Sequence, residues 1–269
     1  MLMIWIDIVR TIATLISFLY ASWSDYKTRE VSNTVWIIFA PPIFTLTFLE
    51  IFLYNKQNLP FYGICFSLTA IFSIMLFYLG GFGGADAKAL MCLALALPFY
   101  PDKILTPLLG CSPLSKVFFP LTIFGNAVLL AALTIVYTFL HNVFWHKKTN
   151  EKFFDNSLSE ESLGKKILTL ITGYKVTVEK LKEEKWRLYP LEDVEETEEG
   201  VKRKLKLIPK DEENEETIKR LEEAAKKGVI KNTVWVSPGL PMLIFITTGL
   251  ITALLLGDLV WALISFLLS

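Results

Sequence analysis

FYGICFSLTAIFSIMLFYLGGFGGADAKALMCLALALPFYP, residues 61–101, decides how this chain folds. From Phe61 to Leu79 it is almost wholly apolar, and a helix needs only about 20 such residues to cross roughly 30 Å of hydrocarbon. Gly80-Gly81-Phe82-Gly83-Gly84 breaks the run, and a second apolar segment opens near Asp86 and stops at Pro98 or Pro101. That segment has about 15 residues, roughly 22 Å at helical rise, so it is short for a crossing and places Asp86 at or slightly inside the interface. A carboxylate beside hydrocarbon is costly unless it is paired, wetted or neutral, so its presence there calls for a functional explanation.

The rest of the chain shares this character. Of its 269 residues, 53% are hydrophobic and 13% aromatic, and the mean hydropathy of +0.46 is too high for an ordinary soluble domain. Charge is concentrated: 20 of the 27 Lys+Arg and 20 of the 27 Asp+Glu fall in residues 147 to 231, which leaves 14 charges elsewhere. Two solvents are implied, lipid and water. Neither part carries net charge, which argues against a nucleic-acid surface or a cationic partner. Cys65, Cys92 and Cys111 stand apart, and His141 and His146 are the only histidines. Neither a disulfide framework nor a metal site is expected, and no cofactor is called for.

The pattern predicts an α-helical polytopic membrane protein with six transmembrane helices and a small soluble α+β insertion before the last helix. The membrane domain covers residues 1–145, the soluble domain 146–233, and the last helix with its tail 234–269. The first crossing runs from about Ile4 to Ser22 and carries Asp7 and Arg10, spaced to pair on one face. It is expected to be retained, because it lacks the order of a signal peptide. The second, Thr34 to Tyr54, contains Pro41-Pro42 and should kink. The fifth runs from about Val117 to Trp145. The sixth follows Ser237-Pro238-Gly239-Leu240-Pro241 and reaches at least Leu256, beyond which one tilted helix and a helix with an interfacial tail fit equally well. Glu50 and Asp258, acids near predicted helix ends, read as snorkelling or solvated groups.

In the soluble segment, Glu160 to Gly173 reads as an amphipathic helix. Tyr174 to Leu181, Lys185 to Leu191 and Val201 to Ile208 read as half-exposed strands, and Asp211 to Lys227 as a helix stopped by Gly228. The acidic runs Glu192 to Glu199 and Asp211 to Glu216 read as solvated faces. Loop charge orients the chain: Lys27, Arg29, Lys88 and the basic load after the fifth crossing share one side by parity, which should be the cytosol, with both termini outside. Asp25 and Asp86 then emerge in the same leaflet and can meet.

Two carboxylates within a few ångströms cannot both ionise cheaply, so one keeps a proton while the other is charged. Such a pair is an acid and a base in one site, able to deprotonate a water for attack on a peptide carbonyl and to protonate its oxygen. Gly83 and Gly84, lacking Cβ atoms, let an extended substrate approach beside Asp86. Lys27, Arg29 and Lys88 supply nearby charge that orients the loop against headgroups or a carboxylate.

These residues resemble a known family. Asp25-x-Lys27-x-Arg29-x-Val31-Ser32-Asn33 looks like the first-aspartate motif of the type IV prepilin peptidases, and Gly83-Gly84-Ala85-Asp86-x-Lys88 looks like their second, the GxGD pattern followed by lysine. With the soluble insertion, the whole chain is similar to the archaeal preflagellin (prearchaellin) peptidases. The resemblance implies an intramembrane aspartyl endopeptidase with Asp25 and Asp86 as catalytic pair, and with Gly83, Gly84, Lys27, Arg29, Asn33 and Lys88 in support. Its partners would be the lipid bilayer and a membrane-inserted precursor whose short basic leader is removed at the cytosolic face, with no nucleic acid and no metal. Position 85 is alanine where the pattern has glycine. The tetracysteine region of the bacterial enzymes that also methylate is absent, which implies peptidase activity alone. An ion- or proton-coupled transporter would place its carboxylates nearer the midplane and show repeated halves. A membrane-anchored binding module would place its activity in residues 146–233.

Overall fold

The structure, a computed structural model, describes residues 2–197, 200–206, 211–239 and 241–268. Glu198 and Glu199 of the first acidic run, the end of the strand expected over Val201 to Ile208, and Leu240 lie outside the described residues. The chain divides into two compact units, one of residues Met1–Ala131 with Pro241–Ser269 and one of Ala132–Leu240.

The first unit is helical. Helices α1 (Leu2–Thr28), α2 (Asn33–Tyr54), α3 (Leu59–Tyr78) and α4 (Gly84–Ala96) are followed by the short α5 (Pro113–Val117) and by α6 (Phe119–Thr149), which continues into the second unit. The unit closes with α10 (Met242–Leu255) and α11 (Leu259–Leu268). Among the described residues, four helices are long and apolar enough to cross a membrane: α1, α2, α3 with the 3-10 turn before it, and α6. They mark a membrane protein. The six crossings expected are not all of spanning length, because α4 has 13 residues and the α10–α11 pair is bent by 63°.

The shortness of α4 has a physical reason. Ala87, Ala89, Leu90, Cys92, Leu93, Ala94 and Ala96 are all buried, so protein rather than lipid surrounds the helix. Its side chains join Phe18, Phe39, Ile43, Phe119, Ile123, Ile246 and Leu250 in one core. Carbonyls at its C-terminal end are met from neighbouring helices: Tyr62 Oη donates to Leu95 O at 3.2 Å, and Thr47 Oγ1 to Ala96 O at 3.4 Å. A helix that ends among other helices need not match the bilayer.

Two acids read as solvated are in fact buried. Glu50 pairs with Arg10 at 2.7 Å, and Arg10 also pairs with Asp7, the i,i+3 pair expected from their spacing. Lys103 Nζ stands 3.4 Å from Glu50, at the edge of the same cluster. Asp258 accepts from Ser112 Oγ at 2.7 Å and, through its other oxygen, from the Trp261 amide at 2.9 Å, so it caps α11. Asn126 bridges the α10–α11 break, donating to Gly257 O and accepting from the Leu259 amide. Gly257 holds φ at 102°, and a Cβ there would meet Gly110 O at 2.6 Å. Both acids escaped a local reading because burial was decided by partners far away in sequence.

The second unit contains a three-stranded antiparallel sheet in the order β1-β5-β2 and a β3–β4 hairpin. The strands are β1 (Tyr174–Thr177), β2 (Leu188–Pro190), β3 (Glu192–Thr197), β4 (Gly200–Leu205) and β5 (Thr233–Pro238). Helices α7 (Leu163–Thr172), α8 (Val178–Glu183) and α9 (Asp211–Lys226) complete the unit. The strand expected from Tyr174 to Leu181 stops at Thr177, whose hydroxyl accepts from the Lys180 amide at 3.3 Å and starts α8. β5, in a stretch read as the approach to the last helix, is the central strand and carries fully buried Val234, Trp235 and Val236.

The start of the first acidic run is a buried anchor rather than a solvated face. Glu192 takes Arg203 through two of its nitrogens, at 2.7 and 3.1 Å, and accepts from the Trp235 amide at 3.0 Å. Asp193 likewise takes Arg220 at 2.7 Å. Replacing Arg203 by methionine leaves Glu192 charged and unpaired, at a cost of about 3–5 kcal/mol. The expected outcome is faster proteolysis of residues 150–238 in the full chain in detergent, with most of the resistance regained in the double variant Glu192→Met/Arg203→Met.

Candidate active site

Asp25 lies in the last turn of α1, inside the helix, which runs six residues beyond its expected end at Ser22. Nothing in Trp23-Ser24-Asp25-Tyr26-Lys27-Thr28 breaks a helix. The helix stops at Arg29, whose φ of 57° turns the chain and whose amide donates to Asp25 O at 2.9 Å. Asp86 lies in the first turn of α4, where its Oδ2 accepts from the Gly83 amide at 2.9 Å, a capping bond that satisfies one free N–H of the helix start. Both aspartates are half-buried.

The structure brings these residues together. The Asp25 and Asp86 carboxylates act on each other electrostatically, and the Arg29 guanidinium acts on both. No hydrogen bond joins the two carboxylates among the described residues. Lys88 Nζ donates to Asn33 Oδ1 at 2.6 Å, tying the start of α4 to the start of α2. Lys27 lies instead over the Trp23 ring, 5.1 Å from its centroid, in the exposed part of the turn. Gly83 is extended and exposed, and a Cβ on it would stand 3.2 Å from Asp86 Oδ2. Gly84 and Ala85 are helical.

Sequence reasoning missed the part played by α10. The Leu243 backbone N–H, in the first turn of that helix, interacts with the Asp86 carboxylate, and a helix start favours negative charge. Leu243 O and Thr247 Oγ1 in turn meet Ser22 Oγ at 3.0 and 2.7 Å, which fixes α10 against α1 one turn before Asp25. The only local signal for this was the Pro238 and Pro241 pair ahead of the helix. Between α1 and α2 runs an apolar groove of about 670 Å³, lined in part by Ala13, Ser17 and Tyr20 on one side and by Val35 and Pro42 on the other. It reaches Ser32 and Thr34, the residues that flank Asn33. Among the described residues, no three His, Cys, Asp or Glu side chains are grouped to hold a metal ion.

The site can be compared with known proteins. Residues 12–136, which include both aspartates, match the type IV leader peptidase family. Residues 165–259 match the archaeal peptidase A24 C-terminus, type II. The chain is 29% identical over 254 residues to the preflagellin peptidase of Methanococcus voltae, covering 91% of this chain and 93% of that one. It is 27% identical over 252 residues to the preflagellin peptidase of Methanocaldococcus jannaschii, covering 90% and 92%.

Arg29 makes two separable contributions, a left-handed backbone and a charge. An L side chain in that conformation costs about 1–2 kcal/mol relative to glycine. Arg29→Gly should therefore unfold at a higher temperature in detergent than Arg29→Ala, although both lose the guanidinium.

Proposed function

We propose, from the match of residues 12–136 to the type IV leader peptidase family, that this chain is a membrane-embedded aspartyl endopeptidase in which Asp25 and Asp86 activate water. The observation that carries this reading is their convergence from α1 and α4, 61 residues apart in sequence, under one shared guanidinium. The substrate is a precursor of the preflagellin type, named by the relatives, and its short basic leader is cut at the cytosolic face of the membrane with the two chain termini outside.

In this mechanism the ionised aspartate takes a proton from the attacking water while the protonated one gives its proton to the scissile carbonyl oxygen. The tetrahedral intermediate then collapses as a proton passes to the leaving amine. Arg29 and the first turn of α10 hold negative charge at the pair between turnovers. A small approach of α4 to α1 would let the two carboxylates share one proton. The turn before α4 is suited to that movement, since Gly80 adopts φ 74° with open space about it. Lys88 and Asn33 act as positioning residues, linking α4 to α2. The groove between α1 and α2 reaches this end of the helices, and its apolar lining suits an apolar segment of a membrane-inserted precursor. Its small residues Ala13 and Ser17, four apart, allow close helix approach.

Asp25→Asn and Asp86→Asn keep shape and remove the acid–base function. In reconstituted membranes with a precursor, each should slow cleavage by about a hundredfold or more. Cleavage by either variant at the parental rate would overturn the assignment. Ala13→Trp, which fills the groove far from the carboxylates, should raise KM for the precursor several-fold with kcat retained. A fall in kcat with unchanged KM would remove the groove from substrate binding.

A further inference from the structure

Helix α7 turns apolar side chains outward from the second unit. Leu163 is 76% exposed, Ile167 57% and Leu168 44%. Its inward side carries the buried Thr169, and Leu170, at the edge of the apolar face, packs against the cluster of Leu158, Leu191, Leu205 and Trp235. Its two lysines are drawn back toward the segment before it, Lys165 to Glu161 at 2.9 Å and Lys166 to Ser159 O at 2.5 Å. The helix is amphipathic, with Lys165, Lys166 and the buried Thr169 on one side and exposed leucine and isoleucine on the other, so an apolar face is turned away from its own unit.

The position of α7 along α6 identifies what meets that outer face. α6 has 31 residues, about 46 Å of helix against roughly 30 Å of hydrocarbon. Apart from the exposed His141, its exposed side chains remain apolar through Tyr137, Leu140 and Phe144, and then Trp145 and the exposed Lys147 and Lys148 appear. An aromatic residue followed by lysines marks the headgroup level. Within this unit, buried Asn142 Nδ2 donates to Leu170 O at 2.8 Å and to Gly173 O at 2.6 Å. The Tyr174 ring stands edge-on to His141, with centroids 5.8 Å apart. The C-terminal end of α7 is thus fastened to α6 at His141 and Asn142, short of its lysines and between the exposed apolar Leu140 and Phe144.

We propose that α7 is an interfacial helix that lies in the lipid leaflet from which α6 emerges, with Leu163, Ile167 and Leu168 in the acyl layer. The occupant of its outer face is lipid. The second unit is then held to the membrane at two places, by α6 itself and by α7. This inference does not depend on the peptidase reading, because it rests on α6 and α7 and on none of the residues placed in the candidate site.

The test uses the full chain in nanodiscs of phosphatidylcholine and phosphatidylglycerol, with bimane attached at Leu163→Cys, Ile167→Cys, Leu168→Cys or, as an exposed control, Lys180→Cys. Cys65 and Cys92 are buried, and labelling of the unsubstituted chain gives the background from Cys111. Lipids brominated in the acyl chain should reduce emission from the three α7 positions about twofold or more and leave the control unchanged. Aqueous iodide should quench the control and spare α7. Iodide quenching at α7 equal to the control would overturn the proposal in favour of a water-exposed face. Protection from both quenchers would overturn it in favour of a protein partner or a second copy. Should a cysteine variant misfold, comparing hydrogen exchange of residues 163–172 in the native chain between nanodiscs and detergent gives a second measure. Protection no higher than that of α8 in nanodiscs would count against insertion.

Discussion

Hydrocarbon offers no hydrogen-bonding partner, so a helix that begins or ends within it must have its free amides and carbonyls met by protein. α4 is where this constraint is most severe. With 13 residues it cannot cross the bilayer on its own, and it persists because α2 and α3 supply Thr47 and Tyr62 to its last carbonyls. At its other end the capping group is Asp86 itself, which accepts from the Gly83 amide. The residue proposed for chemistry is therefore also the residue that starts the helix. The same demand governs the α10–α11 break, where Asn126 and Asp258 hold the interrupted backbone from the side.

Close helix packing makes this arrangement possible without a wide aqueous interior. Gly249 of α10 allows the backbone of α6 to come so near that a Cβ would stand 2.5 Å from Ile123 O. The Ala-rich face of α4 permits similar approach by its neighbours. In lipid the gain from such packing comes from dispersion and interhelical hydrogen bonds, since hydrocarbon is as apolar as the side chains it touches. Small residues in the spans thus set how near α1, α4 and α10 can come, and with that the spacing of the charged groups they carry.

The sequence reveals the parts of this fold that depend on local composition. Runs of apolar residues locate α1, α2, α3 and α6, the glycine-rich break locates the start of α4, and Asp25 and Asp86 stand out as acids at the edges of such runs. The Lys88–Asn33 contact joins two residues already singled out. What escaped was decided by tertiary partners. Glu50, Asp258 and Glu192 look like surface acids until Arg10, Ser112 and Arg203 are placed beside them, 40, 146 and 11 residues away in sequence. The strand Thr233–Pro238 was hidden because its central place in the sheet follows from pairing with Tyr174–Thr177 and Leu188–Pro190. The influence of the Leu243 amide on Asp86 links residues more than half the chain apart, and no local pattern encodes it.

The glycine pattern before Asp86 gains a physical meaning from the backbone. Gly83 is not left-handed; its φ is −72°, a value open to any residue. Its distinguishing feature is proximity, because its amide bonds Asp86 Oδ2 and a Cβ would crowd the same oxygen at 3.2 Å. A side chain there would narrow the approach to the carboxylate without breaking the helix cap. Position 85 differs. It lies within α4, where its alanine packs partly buried against the core, and helical backbone asks for no glycine. Alanine is in fact the better helix former, by about 1 kcal/mol. Of the residues before Asp86, Gly83 answers to access and Gly80, at φ 74°, to the turn, while the side chain at 85 serves packing. Departure from glycine at that one position therefore leaves the geometry about the aspartate intact.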